Sequence, residues 1–317
     1  MERILIIGAN GQIGSELVTA LAQQHGAANV IASDIGADNI YRAERYVRLD
    51  VLDKDALARL IETESVTQVY QLAALLSATG EKAPLKAWTL NMDGLLNILE
   101  IARERVEAGR PLKVFWPSSI AAFGPNTPQD APQYAVMDPT SIYGISKLAG
   151  ERLCEYYHAK YGVDVRSIRY PGIISFKSPP GGGTTDYAIA IFHSALKGET
   201  YECFLGPDTT LPMIYMPDAI RATIELMNAP SEQVKIRSSY NVAGVSFNPR
   251  ELASAIQGRL PAFEIAYKPD SRQQIADSWP KSLDDARARQ DWGWQSRVGV
   301  DEMVADMLEN VDVGVQA

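Results

Sequence analysis

The sequence predicts an α/β protein with a doubly wound parallel sheet and a smaller C-terminal lobe. Three observations predict this fold class. Short apolar runs alternate with helical patterns, the first run leads directly into a glycine-rich turn, and the alternation loosens after residue 172. Apolar residues make up 46% of the 317 residues and charged residues 22%, which is the composition of a globular chain rather than a disordered one.

The predicted strands are short and apolar, as expected for a parallel sheet that helices cover on both faces. They are residues 4–7, 29–33, 46–49, 68–72, 112–116, 163–168 and 239–242. We expect the last of them to return to the main sheet. The predicted helices are residues 15–24, 54–62, 85–106, 146–161, a helix that begins near Asp186, 218–227, 250–257 and 301–308.

The net charge limits the classes of partner. The chain has 30 Lys and Arg against 39 Asp and Glu, a formal charge of −9, which argues against binding to nucleic acid or to an anionic membrane surface. Its two cysteines form no Cys-x-x-Cys motif and its three histidines lie far apart, so we expect no metal site. No run is apolar and long enough to cross a bilayer, and the first residues lack signal-peptide features. We expect a cytoplasmic protein, with an organelle matrix as the alternative.

A glycine-rich loop predicts a Rossmann-type dinucleotide site. Gly8, Gly11 and Gly14 form G-x-x-G-x-x-G between the first strand and the first helix. Glycine there allows a tight turn, close approach of main-chain N–H groups to a pyrophosphate, and close helix–sheet packing. Asp34 ends the second strand, where a carboxylate can accept hydrogen bonds from ribose hydroxyls and repel a 2′-phosphate. The sequence therefore predicts NAD rather than NADP.

Asp50 and Val51 follow the third predicted strand and allow two interpretations. Their side-chain oxygen and main-chain N–H can face the adenine ring. Alternatively, Asp50 caps the next helix.

Tyr143 and Lys147 form a Y-x-x-x-K motif at the start of a predicted helix. A spacing of four places both side chains on one helical face. Tyrosine has an ordinary pKa of about 10, so it needs nearby positive charge to accept an alcohol proton at neutral pH. Lys147 can supply one such charge, and an oxidised nicotinamide would add another. A second match, Tyr156 with Lys160, lies in the middle of the helix, and we interpret it as an outer or packing face.

Ser118 and Ser119 end the strand at residues 112–116. Open α/β sheets bind ligands at the carboxyl ends of their strands, so either hydroxyl can hold a substrate oxygen in line with Tyr143. The alternative role is to cap the following turn.

These features together resemble the extended short-chain dehydrogenase/reductase superfamily over nearly the whole chain. Within it, four strings resemble the short-chain type of L-threonine 3-dehydrogenase: AALLSATGEK at 73–82, FWPSSIA at 115–121, PGGGTTDY at 180–187 and IADSWP at 275–280. The resemblance implies NAD-dependent oxidation of the threonine 3-hydroxyl to 2-amino-3-oxobutyrate. It also implies a homodimer formed through a bundle of the helices at 85–106 and 146–161.

The resemblance assigns roles residue by residue. The implied catalytic residues are Tyr143, Lys147, Ser119, Ser118 and Asn91, where Asn91 either joins a proton relay or holds main chain between strands. The predicted cofactor contacts are Gly8, Asn10, Gly11, Gln12, Ile13, Gly14, Asp34, Ile35, Asp50, Val51, Leu72, Ala73, Ala74, Asn91, Tyr143, Lys147, Tyr170, Gly172 and Ile173. The predicted substrate contacts are Ser77, Ser118, Ser119, Tyr143, Gly183, Thr184, Thr185 and Trp279.

The chain is predicted to divide by function. Residues 1–172 form the NAD-binding domain, with returns to the sheet near 211–245, and residues 173–210 and 246–317 form the substrate lobe. The loop at 181–185 is rich in N–H and hydroxyl groups and can lead into a helix N-terminus, which suits a substrate carboxylate. The alternative is a flexible surface loop. Trp279 either seals the pocket or packs in the lobe.

Two other functions stay open at this point. The first is a nucleotide-sugar epimerase or dehydratase of the same superfamily, which needs cations for a second diphosphate. The candidates for that role are Arg221, Arg237, Arg250 and Arg272. The second is a protein that senses NAD without catalysis.

Overall fold

A six-stranded, all-parallel sheet forms the centre of the computed structural model, which describes residues 2–40, 43–181 and 183–313. From one edge to the other, the strands are Arg45–Arg48, Val30–Asp34, Ile4–Ile7, Gln68–Gln71, Lys113–Phe115 and Asp164–Arg166. This is the predicted doubly wound sheet, because the strand order reverses direction beside the first strand. The fold class predicted from the sequence is confirmed.

Short strands outside the main sheet build the smaller sheets. They are Ser118–Ser119, Asp130–Ala131, Ile168–Tyr170, Gly172–Ile174, Tyr201–Cys203, Leu211–Tyr215, Tyr240–Asn241, Val245–Phe247, Ile265–Tyr267 and Ser282–Leu283. The prediction that residues 239–242 rejoin the main sheet is wrong in detail. Tyr240–Asn241 pairs in parallel with Ile168–Tyr170, which in turn pairs with Ser118–Ser119, in a separate three-stranded sheet.

The α-helices lie close to the predicted positions. They are Gln12–His25, Lys54–Thr63, Ser77–Lys82, Pro84–Trp88, Gly94–Glu107, Ile142–Tyr161, Tyr187–Lys197, Met216–Asn228, Pro249–Gln257, Arg272–Asp277, Ala286–Trp292 and Val300–Asn310. Short 3₁₀ turns span Ala27–Asn29 and Ile120–Ala122. We call Gln12–His25 the glycine-loop helix and Ile142–Tyr161 the tyrosine helix.

The predicted single helix at 85–106 is interrupted. A π-helical turn, Thr89–Asp93, separates Pro84–Trp88 from Gly94–Glu107. Such turns insert a residue into the helical ladder and are frequent at functional sites. This one carries Asn91, so the interruption falls on a predicted site residue.

Three apolar clusters hold these elements together. One packs around Leu5, Val69 and Val114 on one side of the main sheet, and a second packs around Ile4, Ile6 and Phe115 on the other. A third lies in the lobe and includes Trp279. The sheet is therefore covered on both faces, which explains why its strands are continuously apolar. Within the described part of the chain, no helix combines the length and the apolar character needed to cross a membrane.

Candidate active site

The glycine loop has the conformation that the sequence predicts. Gly8 has φ +84°, and a Cβ there would approach the main-chain nitrogen of Ala73 to 2.8 Å. A Cβ on Gly14 would overlap the carbonyl oxygen of Gly8. Both positions therefore require glycine, for backbone conformation at the first and for close approach at both.

The glycine-loop helix presents an unsatisfied N-terminus to the crevice. Its N-cap residue is Gly11, which has no side chain to bond the first N–H groups, and the first turn contains no acidic residue. The N–H groups of a first helical turn lack partners inside the helix. Gly11 and Gln12 line the cavities described below. These groups fit the diphosphate of a dinucleotide.

Asp34 is fixed beside this loop. One carboxylate oxygen accepts a hydrogen bond from the main-chain nitrogen of Asn10 at 3.0 Å, and the other accepts one from Gly36 at 3.3 Å. The side chain is half-buried and lines a cavity of about 240 Å³ with Gly8 and Gly11. In this position the Asp34 carboxylate can accept hydrogen bonds from the hydroxyls of a ribose.

Asp50 and Val51 line the same cavity, together with the predicted contacts Ile35, Leu72, Ala73 and Ala74. The alternative role for Asp50 as a helix cap is wrong. Asp53 is the N-cap of Lys54–Thr63 and accepts a hydrogen bond from the nitrogen of Ala56, whereas Asp50 accepts one from Leu52. An Asx turn therefore holds Asp50 at the rim of the cavity.

A second cavity, of about 170 Å³, is lined by the predicted catalytic residues Ser119, Tyr143 and Lys147. It shares Leu72 and Ala74 with the first cavity, so the two lie end to end along the carboxyl edge of the sheet. The predicted site residues that line it are Gln12, Ile13, Leu72, Ala74, Ser77, Ser118, Ser119, Tyr143, Lys147, Tyr170, Gly172, Ile173, Gly183, Thr184, Thr185 and Trp279. Gly182, in one of the quoted strings, is outside the described residues.

Tyr143 lies in the first turn of the tyrosine helix, as predicted. Ser141 caps that helix by accepting a hydrogen bond from Gly144 at 3.0 Å, and this fixes the turn. The Ser119 side chain lines the same cavity as Tyr143 and lowers the pKa of the phenol. Ser119 also caps the following turn, because its oxygen accepts a hydrogen bond from the nitrogen of Ala121 at 3.2 Å. Both predicted roles of this serine therefore coexist.

Lys147 lies beneath the phenol rather than beside its hydroxyl. Its ammonium donates a hydrogen bond to the carbonyl of Pro117 at 2.6 Å and lies 4.5 Å from the centre of the Trp116 ring. The centre of the Tyr143 ring is 5.4 Å away. One carbonyl and two ring faces therefore hold this buried cation.

Lys147 by itself does not give Tyr143 a low pKa in this structure. Burial raises the pKa of Tyr143 to about 12, and the Ser119 side chain opposes this effect. Burial also lowers the pKa of Lys147 to about 7. A buried phenol that accepts a proton at neutral pH therefore needs a further source of positive charge in the crevice.

Ser118 belongs to a different network from Ser119. Its hydroxyl donates to Glu151 at 2.6 Å, and Glu151 is fully buried and paired with Arg169 at 2.7 Å. Arg169 also donates to the side chain of Asn241. The hydroxyl of Ser118 thus joins its strand to the tyrosine helix, and of the two serines, Ser119 is the one placed to hold a substrate oxygen.

The side-chain amide of Asn91 forms hydrogen bonds to the main chain of Leu75 through both its oxygen and its nitrogen. Its oxygen accepts from the nitrogen of Leu75 at 2.8 Å, and its nitrogen donates to the carbonyl of Leu75 and to the Ser146 hydroxyl. Ser146 in turn donates to the carbonyl of Tyr143 at 2.7 Å. These contacts support the interpretation that Asn91 holds main chain, here next to the tyrosine helix.

The loop from the lobe adds an acid that the sequence analysis missed. Asp186 lines the 170 Å³ cavity, and its carboxylate accepts a hydrogen bond from the nitrogen of Gly183 at 2.8 Å. It is also the N-cap of Tyr187–Lys197. Its side chain makes no cap hydrogen bond to that helix, so the expectation that the helix N-terminus receives a substrate carboxylate stays a prediction. The position of Asp186 directly after Thr184 and Thr185 was the signal available in the sequence.

Tyr156 and Lys160 lie on the surface, as predicted. The ammonium of Lys160 donates to the Tyr156 hydroxyl at 2.7 Å and lowers the pKa of that phenol. Tyr156 is 46% exposed and borders neither cavity of the crevice. Tyr156 and Lys160 are therefore in direct contact with each other but lie outside the crevice that contains Tyr143.

The four candidate arginines for a second diphosphate each pair with carboxylates of the protein. Their partners include Asp218 for Arg221, Asp164 for Arg237, Asp208 for Arg250 and Asp270 for Arg272. None of these arginines lines the cavity around Tyr143, whose lining contains Lys147 as its cation. Among the residues that the structure describes, the cavity around Tyr143 thus has no cluster of cations for a nucleotide sugar.

The model of the NAD-dependent epimerase/dehydratase family matches residues 4–243. The chain belongs to this family. The solved structure of a GalE-like L-threonine dehydrogenase from Cupriavidus necator is 58% identical, with a TM-score of 0.95 over 98% of this chain and 100% of that one. Mitochondrial L-threonine 3-dehydrogenase from Bos taurus is 43% identical over 97% of this chain and 82% of its own length. The resemblance stated from the sequence is confirmed.

The alternative enzyme class also has a structural neighbour. UDP-glucose 4-epimerase from Thermotoga maritima superimposes with a TM-score of 0.83 over 97% of this chain and 98% of that one, at 23% identity. At that identity the likeness establishes the shared fold alone. It says nothing about a nucleotide-sugar substrate here.

Proposed function

We propose that this protein oxidises the 3-hydroxyl of L-threonine to the ketone of 2-amino-3-oxobutyrate, with NAD as the oxidant. The observation that carries the proposal is that Tyr143, Ser119 and Lys147 line one small cavity. That cavity is also lined by Thr184, Thr185 and Asp186 of the lobe. A volume of about 170 Å³ suits a small amino acid better than a nucleotide sugar.

Residues of this chain can take the proton of the substrate hydroxyl and orient the substrate. Ser119 donates to the substrate oxygen and holds it next to Tyr143, whose hydroxyl oxygen takes the proton as the alcohol becomes a ketone. Lys147 stabilises the phenolate form from below the ring. Asp186 faces the ammonium of the zwitterion, and the hydroxyls of Thr184 and Thr185 are available to its carboxylate.

The other half of the crevice fits NAD. The N-terminus of the glycine-loop helix would hold the diphosphate, Asp34 the ribose hydroxyls, and Asp50 with Val51 the adenine. When bound, NAD supplies a positively charged nicotinamide that accepts the hydride from C3. Tyr170, Gly172 and Ile173 line the cavity where that ring would pack.

The predicted division of the chain is part of this proposal. Residues 1–172, with returns near 211–245, would bind NAD, and residues 173–210 and 246–317 would bind the amino acid. We also propose a homodimer, because the two helical regions expected in its interface expose Leu85, Trp88 and Tyr156. Both cysteines are free and buried, which suits a reducing cytoplasm.

The test is oxidation of L-threonine, followed by the absorbance of NADH. We expect turnover with L-threonine and NAD, much slower turnover with L-serine, which lacks the methyl group, and no epimerisation of UDP-glucose. Conversion of the UDP-sugar without oxidation of threonine would contradict the proposal and favour the epimerase.

A further inference from the structure

Trp279 borders both the active-site cavity and a second cavity in the lobe. The inner cavity, around Tyr143, has a volume of about 170 Å³. A second cavity, which we call the outer cavity, has a volume of about 350 Å³ and is lined by Trp279 together with Gln129, residues 206–210, Ala276, Asp277 and Lys281. Among the described residues, Trp279 is the one that lines both. Trp279 is 8% exposed because it also packs in the apolar cluster of the lobe.

The main chain on both sides of Trp279 is held in place. On the N-terminal side, its nitrogen donates to the carbonyl of Ala276 at 3.1 Å, at the end of the helix Arg272–Asp277. On the C-terminal side, the nitrogen of Lys281 donates to the carbonyl of Gln129 at 2.8 Å. The strand Ser282–Leu283 then pairs in parallel with Asp130–Ala131. A side chain between two such anchors forms a fixed wall.

The polar residues of the inner cavity can bind the polar groups of the substrate, so the apolar substituent of the substrate remains to contact Trp279. The hydroxyl of a 3-hydroxy amino acid belongs at Tyr143 and Ser119. Its ammonium and carboxylate belong at the polar residues from the lobe loop, which include Thr184 and Asp186. The remaining substituent of C3 is a methyl group in threonine, and an apolar wall such as the Trp279 indole is its natural neighbour.

We propose that Trp279 sets the upper size limit for the group carried on C3 of the substrate. This inference rests on the proposed function, since it assumes a 3-hydroxy amino acid with its hydroxyl at Tyr143. The indole stops a longer C3 substituent from reaching the outer cavity. Removal of the indole joins the two cavities and gives a longer substituent room that the native cavity lacks.

The test compares substrates of increasing size. The probes are L-threonine, the one-carbon-longer 2-amino-3-hydroxypentanoate, and 3-phenylserine, all with the same configuration at C2 and C3. For Trp279→Ala, we expect kcat/KM for phenylserine, relative to that for threonine, to rise at least about tenfold over the native enzyme, since pocket fit discriminates by roughly 10–200-fold per methylene. The five-carbon substrate should gain less.

Two further variants keep the test decisive. Trp279→Leu, a smaller change in the packed lobe, should move the same ratio in the same direction if Trp279→Ala does not fold. Lys281→Ala widens the outer cavity without touching the wall and should leave the ratio unchanged. An unchanged ratio in folded Trp279 variants that still oxidise threonine would overturn the size-limit inference alone. A native enzyme that does not oxidise threonine would instead refute the proposed function.

Discussion

Lys147 is a buried ammonium group whose placement favours catalysis over stability. It is 3% exposed, and burial lowers its pKa to about 7. In the unfolded chain the same group has a pKa near 10.4. Between these values the unfolded state binds more protons than the folded state, so the stability cost of this lysine is full below pH 7 and declines as the pH rises toward 10.

Replacement of this lysine therefore has a pH-dependent effect on stability. Lys147→Met keeps the apolar stem and removes the charge, so we expect it to raise the free energy of unfolding by a few kcal/mol at pH 7. The gain should shrink toward pH 10. Chemical denaturation at pH 6, 7, 8 and 9 measures it. A gain that is independent of pH, or a loss at pH 7, would contradict the assigned cost of burial.

Single residues divide into those that the sequence could identify and those that needed the fold. Gly8, Asp34 and Tyr143 were identified because each occurs in a local pattern with a physical reason for its spacing. The separate role of Ser118 could not be predicted, since its partner Glu151 lies 33 positions away and Arg169 lies further along the chain. The burial that raises the pKa of Tyr143 could not be predicted either, because burial depends on tertiary packing.

At the scale of elements, the strand–loop–helix unit at the N-terminus depends on close packing at its third glycine. A Cβ on Gly14 would overlap the carbonyl oxygen of Gly8. Gly14→Ala should therefore shift the loop, cost about 1–3 kcal/mol of stability as an overpacked site, and weaken NAD binding. Isothermal titration with NAD and thermal unfolding measure the two effects.

A matched glycine provides the control. Gly299 is the N-cap of Val300–Asn310, and a Cβ there would meet nothing within 4 Å. Gly299→Ala should leave NAD affinity unchanged. Native-like NAD affinity in Gly14→Ala would mean that the glycine loop does not hold the cofactor.

Element positions were predictable where periodicity was strong, and boundaries were not. The strand at residues 4–7 and the helix at 54–62 match closely, because their apolar patterns are continuous. The π-turn at Thr89–Asp93 has no apolar signature of its own, so one long helix was predicted there. The strand at 163–168 was predicted as one, whereas the chain breaks into Asp164–Arg166 and Ile168–Tyr170 to serve two sheets.

At the scale of the whole molecule, the fold joins segments that are far apart in sequence into one crevice. The glycine loop and Asp34 lie at one end, Tyr143 on a helix in the middle of the chain, and Thr184 and Trp279 in the lobe. The parallel sheet accounts for the first two, because loops at the carboxyl ends of its strands meet at one edge. Docking of the lobe onto that edge follows from its own apolar cluster, which no local pattern predicts.

Because the cofactor end and the reacting end of the crevice come from different segments, one substitution should separate binding from chemistry. Tyr143→Phe keeps the ring and removes the hydroxyl that takes the proton. The control is Tyr156→Phe, which removes the hydroxyl of the exposed Tyr156–Lys160 pair.

The most direct measurement is NADH formation from L-threonine by these two variants, together with their NAD affinity. Tyr143→Phe should lose at least about 10²-fold in kcat with NAD affinity nearly unchanged, and Tyr156→Phe should behave like the native enzyme. Native turnover in Tyr143→Phe would contradict the assignment of Tyr143 as the proton acceptor.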